Sequence, residues 1–259
     1  SFVKIIPEQN KIIGYTTRYS RGKLKNFANY FVIQFNTPFS YTKTWQKDSM
    51  MTNLETKGDH AGAIVGFKIT QKDQQVIAKT ASSFISAEQA AFNLQNEIGS
   101  KSFDEVRLNT NKLWNNILGK ALVEGGTEDQ KKTFYSCLYR TALFPNKLYE
   151  KDATGAIVHY SPYSGKVLPG FMYGGTGFWD TFRALYPLLN LLYPTVNAEM
   201  QAGLINDYKE GGFLPEWSSP GYADIMIGNN SASVVSDAYM KGLRGYDVSK
   251  LYEALQNGA

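Results

Sequence analysis

The sequence predicts an α+β, multidomain chain: an incomplete β-sandwich, entered partway, followed by linking helices and then by paired helices. Three observations carry that expectation. Residues 1 to about 86 alternate with the period of strands. From Ser86 onward the period becomes helical. The helical stripes are also too apolar for two or three hairpins to bury, so further helical partners are expected.

The strand region is read element by element. ANYFVIQF, from Ala28 to Phe35, is rich in aromatic and β-branched residues and stops at the turn-forming NTP. HAGAIVGFKI sets Ala61, Ala63, Val65, Phe67 and Ile69 on one face. QVIAKTASSFIS continues the pattern after the turn at QKDQ. Several short strands at this spacing suggest a sandwich that lacks its first strands.

Ser86 and Gln89 form a capping box for the first helix, and Thr127 with Gln130 forms another for TEDQKKTFYSCLYRTALFP, which ends at Pro145. Between them, Leu113, Trp114, Ile117, Leu118 and Ala121 make one apolar stripe. NKLYEKDATGAIVHYSPYSGKV reads as a turn-rich excursion containing a hairpin. FWDTFRALYPLLNLLY follows as a helix kinked at Pro187. Thr195 is expected to cap the next helix, which ends at Gly211. Another starts near Ser231 and ends at Gly242 or Gly245, and Asp247 caps the last.

Composition narrows the function classes. The 259 residues are 43% hydrophobic, and no uninterrupted apolar run is long enough to span a membrane. The net charge of +4 comes from 27 basic and 23 acidic residues without a basic cluster, so nucleic acid is not an expected partner. Aromatics reach 14%, which tilts the reading toward sugar binding, although aromatics also fill ordinary cores. Cys137 is the single cysteine, so no internal disulfide forms, and its helical setting reads as buried. His60 and His159 lie far apart and read as ordinary polar residues. No zinc spacing, nucleophile elbow, Walker A sequence or Rossmann fingerprint occurs.

Two places could carry chemistry. The connection from Lys209 to Ser231 is longer than ordinary helix–helix links and holds Glu210, Glu216, Trp217, Tyr222, Asp224 and Asn229. Turn chemistry explains its glycines and serines but not its aromatics. The second place is Asp180 and Arg183, three residues apart in FWDTFR. They read equally as an i,i+3 ion pair or as the wall of a site, since GGTGF permits close backbone approach. Carboxylates among aromatics point to glycoside cleavage or sugar binding.

At HAGAIVGF, SSFISAEQAAFNL, LWNNILGK, FYSCLYRTALFP, GFWDTFRALYPLL, GLINDYKEGGFLPEW and MIGNNSASVVSDAYMKG, the chain resembles glycoside hydrolase family 92, the calcium-dependent exo-acting α-mannosidases. The resemblance implies part of an N-terminal β-sandwich domain over residues 1–86, linking helices over 87–125, and the first part of an (α/α)6 toroid over 126–259, with the site between domains. It implies single displacement with inversion, in which a carboxylic acid protonates the leaving oxygen and a carboxylate activates water. It implies Ca2+ against the mannose hydroxyls, although it leaves the calcium ligands in this chain unknown.

Carried over by position, Trp179, Asp180 and Arg183 fall in the family's sugar-binding segment. The family commonly places its acid four residues before the Met of MIG, and here that position is Tyr222. Glu216 and Asp224 are the local substitutes, with Glu216 preferred as the general acid. Trp217, Tyr222 and Asp224 complete the expected substrate-binding set. A substrate with a good leaving group, such as a mannosyl phosphate, would need little protonation, and a glycan-binding protein without turnover is a further alternative. The family's general-base aspartates and much of its calcium site lie in later segments. The expected partners are therefore an α-mannoside glycan and the remaining portion of the same polypeptide. The resemblance also implies export in a bacterium, to the periplasm or cell surface. Residues 1–259 by themselves are expected to be inactive and poorly stable, with apolar stripes exposed.

Overall fold

The computed structural model describes residues 1–258 except 20, 21 and 24. It separates into two compact units, Ser1–Ser102 and Phe103–Ala259.

The first unit is built from short antiparallel strands. They are β1 (Phe2–Ile6), β2 (Lys11–Thr16), β3 (Arg18–Tyr19), β4 (Gly22–Lys23), β5 (Asn29–Phe35), β6 (Phe39–Gln46), β7 (Ser49–Met51), β8 (Glu55–Lys57), β9 (Ala61–Phe67) and β10 (Ala78–Ser83). Five of them form a sheet in the order β10-β5-β2-β1-β8, and three form a second sheet, β7-β6-β9. The register opposes Ile5 to Ile12 and Ile12 to Ile33, so these side chains share a face. Val3, Ile5 and Ile12 are buried there against Phe31, Ile33 and Phe35, and against Phe39, Ala63 and Val65 from the second sheet. The alternation read in HAGAIVGFKI thus aims Ala63 and Val65 at a core contributed by both sheets.

Helix α1 (Ala87–Asn93) packs on β5 and β10, where Val32 and Ala90 are fully buried. Ser86 caps it by accepting from the Gln89 N–H at 3.1 Å. The other half of the expected box is replaced: the Ser86 N–H donates to Ser83 Oγ, and the Gln89 amide donates to Asn93.

The second unit begins with α2 (Phe103–Leu118) and α3 (Glu128–Thr141). The Thr127–Gln130 capping box forms in both directions, at 3.3 and 2.8 Å. Cys137 is exposed, contrary to the sequence reading. On α3 only Leu138 is buried, so Cys137 sits on a different face from the one that packs. On α2 the Trp114 ring meets Tyr139, while Leu113 is 63% exposed.

Strands β11 (Asn146–Lys147), β12 (Tyr149–Lys151), β13 (Ile157–Tyr160), β14 (Val167–Pro169), β15 (Tyr173–Gly174) and β16 (Thr176–Gly177) follow, with β12-β13-β14 forming a three-stranded sheet. Then come α4 (Phe178–Thr181), α5 (Leu185–Leu192), α6 (Pro194–Gly211), β17 (Trp217–Ser218), α7 (Asn230–Met240) and α8 (Val248–Asn257). Helix α5 packs on α6 and α7, and α6 packs on α8. Phe178, Tyr186, Leu189, Met200, Leu204, Val234, Val235 and Leu251 are buried together between them.

Two helix boundaries correct the sequence reading. The helix expected across FWDTFRALYPLL is interrupted at residues 182–184 rather than kinked. Pro187 has no N–H for the Arg183 carbonyl and its ring crowds that carbonyl, so a helix can continue only if it restarts with Pro187 in its first turn. Helix α6 starts before the expected Thr195 cap, with Pro194 at its first position, where a missing N–H costs nothing. Asp247 does cap α8, accepting from the Lys250 N–H at 2.9 Å.

Leu204 lies at the centre of the helical core. Leu204→Ala is expected to destabilise the second unit by about 2–5 kcal/mol, read as a lower denaturant midpoint with an unchanged slope.

Candidate functional site

Strands β16 and β17 pair antiparallel, with Thr176 opposite Ser218 and Gly177 opposite Trp217. The pairing extends at both ends. The Gly175 N–H donates to the Ser218 carbonyl at 2.6 Å, and the Phe178 N–H donates to the Glu216 carbonyl at 3.0 Å. FWDTFR and the long connection, distant in sequence, are therefore bonded to each other. Gly177 is required by this approach, because a Cβ there would sit 2.9 Å from the Trp217 ring. The close approach that GGTGF permits is thus made by Trp217. Beyond Ser218 the chain doubles back: the Ser219 N–H donates to the Gly221 carbonyl, the Ala223 N–H donates to the Trp217 carbonyl, and Ser218 bridges to Tyr222.

This frame gathers most of the expected residues. Trp179 and Tyr222 are 42% and 46% exposed, and Asp180 and Asp224 are exposed as well. Trp217 and Glu216 are half-buried. Glu216 Oε2 is buried and has no hydrogen-bond partner. The Tyr222 hydroxyl is engaged by the Glu216 carboxylate, and with a smaller effect of burial and the nearby charges of Glu216 and Asp224 this raises the phenol's pKa.

Asp180 and Arg183 do not form the i,i+3 ion pair that was one of their two readings. Among the described residues no ion pair joins them, because the turn at residues 182–184 takes Arg183 off the helical track. Arg183 instead lays its guanidinium over the Trp179 and Phe182 rings, 4.4 Å from each centroid, and donates to the Trp179 carbonyl. Among the described residues no hydrogen bond engages the Asp180 carboxylate. An exposed carboxylate beside an Arg-backed indole can accept hydrogen bonds from sugar hydroxyls while a pyranose face rests on the ring.

Behind this surface lies a buried polar network that the sequence did not disclose. His159, read as an ordinary polar residue, is fully buried. Its Nδ1 bonds the Gly170 carbonyl and its Nε2 bonds Glu210 Oε1, both at 2.9 Å. Burial opposes its charge, but Glu210 and the Gly170 carbonyl outweigh burial and raise its pKa. One turn earlier on α6, Asp207 is 2% exposed and accepts from the Tyr163 hydroxyl at 2.7 Å. Burial pushes its carboxyl up to about 7, helped by the Glu210 charge and opposed by Tyr163 and His159. The one sequence signal for this network was the i,i+3 spacing of Asp207 and Glu210. Their partners come from the β13–β14 hairpin, some 50 residues away. His60 has a left-handed backbone in an exposed turn.

Among the described residues, no group of three or more histidine, cysteine, aspartate or glutamate side chains could hold a metal ion. The resemblance places most of the calcium ligands in later segments of the family's pattern. Among the described residues no helix is long and apolar enough to cross a membrane.

Comparison with known proteins adds a second line. Residues 1–83 match the model of the glycosyl hydrolase family 92 N-terminal domain, and residues 89–259 match that of the family 92 catalytic domain. The family GH92 inverting mannosidase BT2199 from Bacteroides thetaiotaomicron superposes with a TM-score of 0.94 at 44% identity, over 98% of this chain and 35% of BT2199. The family GH92 α-mannosidase BT3965 from the same organism superposes with a TM-score of 0.85 at 25% identity, over 99% of this chain and 35% of BT3965. An uncharacterized secreted glycosidase from Arthroderma benhamiae is 27% identical over 77% of this chain and 22% of its own length. The chain thus spans about a third or less of these relatives.

Asp207 and His159 both have folded pKa values above their unfolded ones. Asp207's contribution to stability is complete below about 3.8 and is lost as pH rises through about 7. His159's is complete below its ordinary 6.5 and is lost as pH passes its raised value. Urea midpoints are expected to fall between pH 5 and pH 8, and to fall less in Asp207→Asn. Equal falls in the two proteins would contradict the assignment to Asp207.

Proposed function

Because the chain belongs to glycosyl hydrolase family 92, we propose that it is part of an exo-acting, inverting α-mannosidase that removes terminal mannose from glycans. Glu216 carries the reading. Its carbonyl accepts from the Phe178 N–H, next to Trp179, and it has one buried carboxylate oxygen that no group among the described residues engages. A general acid needs such an oxygen to hand its proton to the departing glycosidic oxygen.

The remaining roles follow from placement. Trp179 and Trp217 offer flat apolar faces to the sugar, Asp180 accepts from its hydroxyls, and Arg183 braces Trp179 from behind. The Tyr222 phenol, its pKa raised by Glu216, lies on the same reversal of the chain, and Asp224 adds negative charge beside it. Inversion requires a second carboxylate about 6.5–9.5 Å from the acid, with room for water between them. We assign that base to later segments of the family's pattern, together with most of the Ca2+ ligands. Calcium, where bound, would supply electrostatic help at the sugar hydroxyls. Residues 126–259 are read as the first part of an (α/α)6 toroid, 87–125 as linking helices, and residues 1–86 as part of the sandwich domain. Export is supported by the relative from Arthroderma benhamiae, which is described as secreted; the periplasm or cell surface of a bacterium is the location proposed from the resemblance.

One observation favours a second reading. Tyr222 stands where the family commonly has its acid. An enzyme for mannosyl phosphate, whose leaving group needs little protonation, or a non-catalytic glycan-binding protein would tolerate that residue.

Three measurements on the full-length protein decide between these readings. Mannose release from α-mannosides, followed by NMR, should give the β-anomer first and should fall in chelator. Glu216→Gln should lower kcat/KM on unactivated mannosides by about 10²–10⁴-fold. Unchanged turnover in Glu216→Gln with activity confined to mannosyl phosphate would favour the phosphate reading, and calorimetric binding without product would favour the binding protein.

A further inference from the structure

The buried pair Tyr163–Asp207 touches the loop that bears Glu216 and Tyr222. The Tyr163 ring packs against two glycines of this loop, Gly211 at its start and Gly221 within it. A Cβ on Gly211 would meet the ring at 2.5 Å, and one on Gly221, whose φ is +72°, would meet it at 3.4 Å. No residue with a side chain fits at Gly211 without displacing the ring. At its far end the hydroxyl donates to Asp207 Oδ1 at 2.7 Å. Tyr163 is itself held in a turn: the Tyr163 and Ser164 N–H groups donate to Ser161 Oγ, and the Ser161 N–H donates to the Lys166 carbonyl. Glu210, at the end of α6 where the loop departs, is fixed by His159.

We propose that Tyr163 and Asp207 are positioning residues for the acid end of the site, setting the backbone at Gly221 and, through the chain reversal that bonds Ala223 to Trp217, the segment that bears Glu216. The chain of contact runs from Asp207 to the Tyr163 hydroxyl, from the Tyr163 ring to Gly221, and through the Ser219–Gly221 and Ala223–Trp217 backbone bonds to the residue next to Glu216. It rests on Glu216 acting as the general acid. A buried carboxylate is costly to place in a helical core, and packing alone would be served by an apolar residue. Asp207 gives the Tyr163 hydroxyl a fixed acceptor and so a single orientation. The groups facing Asp207 are Tyr163 from the β13–β14 turn, Glu210 from α6 itself, His159 from β13 and Tyr186 from α5. A shift of the acid by about 1 Å is enough to slow proton transfer roughly 10²-fold.

The test compares two substrates in the full-length protein: an alkyl α-mannoside, whose leaving group needs protonation, and an aryl mannoside with an acidic phenol, which does not. Tyr163→Phe keeps the ring against both glycines and removes only the hydroxyl. It should lower kcat on the alkyl substrate by roughly 10- to 10²-fold, with KM and the aryl rate little changed. Asp207→Ala breaks the same bond from the other side and should give the same split, so the test survives if either variant fails to fold. Asp207→Asn keeps an oxygen for the hydroxyl and should restore most of the alkyl rate. Equal losses on both substrates, or no loss on either, would overturn the proposal. Glu216→Gln, run beside them, separates the two layers. If it splits the substrates and Tyr163→Phe does not, the acid reading stands and the positioning role falls. If Glu216→Gln shows no split, the acid assignment itself is wrong.

Discussion

The pairing of Thr176–Gly177 with Trp217–Ser218 is the constraint on which the second unit's surface depends. It is only two residues long, yet it decides three things at once. It ends the β excursion and points Phe178 into the helical core, where Phe178 packs on Tyr186. It leaves Trp179 and Asp180 facing outward from the next turn. It also anchors a long connection in mid-course, so that Glu216, Trp217 and Tyr222 are presented from a bonded backbone rather than from a free loop. A glycine at position 177 is the condition for all of this, since any side chain would occupy the space of the Trp217 ring.

The electrostatics behind that surface follow from burial. His159 and Glu210 neutralise each other, and Asp207 meets a neutral phenol rather than a cation. Burial therefore wins at Asp207 and its carboxyl moves toward neutrality near physiological pH. At His159 the two acceptors win instead, and the ring holds its second proton more tightly. A second polar run crosses the helices, from Asp237 through Asn190 and Asn197 to Gln201. Polar groups of this kind make packing specific, because each leaves an unpaired neighbour if the helices slip.

Much of this was legible residue by residue. The caps at Thr127 and Asp247 were readable because a capping bond spans three residues and needs nothing else. The strand faces around Ala63 and Val65 were readable for a similar reason, since alternation reports one buried side. The site segments FWDTFR and LPEW were also marked, by aromatics and carboxylates in places that turn chemistry does not explain. Misreadings arose where two local rules compete. Thr195 is a good cap, but Pro194 is a better first residue. Pro187 was read as a kink, while the carbonyl it strands at Arg183 breaks the helix. Cys137 was assigned to the core by residue type, although only its neighbour Leu138 faces inward.

By itself the sequence determined the succession from strands to helices, the ends of most helices, the family, and the two segments that hold the candidate chemistry. These are properties of local periodicity, capping and motif order, and they act over a few residues. The tertiary structure alone decided that Arg183 stacks on Trp179 instead of pairing with Asp180, that Trp217 fills the space beside Gly177, and that His159, Tyr163, Asp207 and Glu210 form one buried network. The first follows from the break at residues 182–184, and the other two are contacts between residues brought together by chain reversal, where burial sets the energy. Burial is a property of the folded surroundings, which no spacing of residues along the chain encodes.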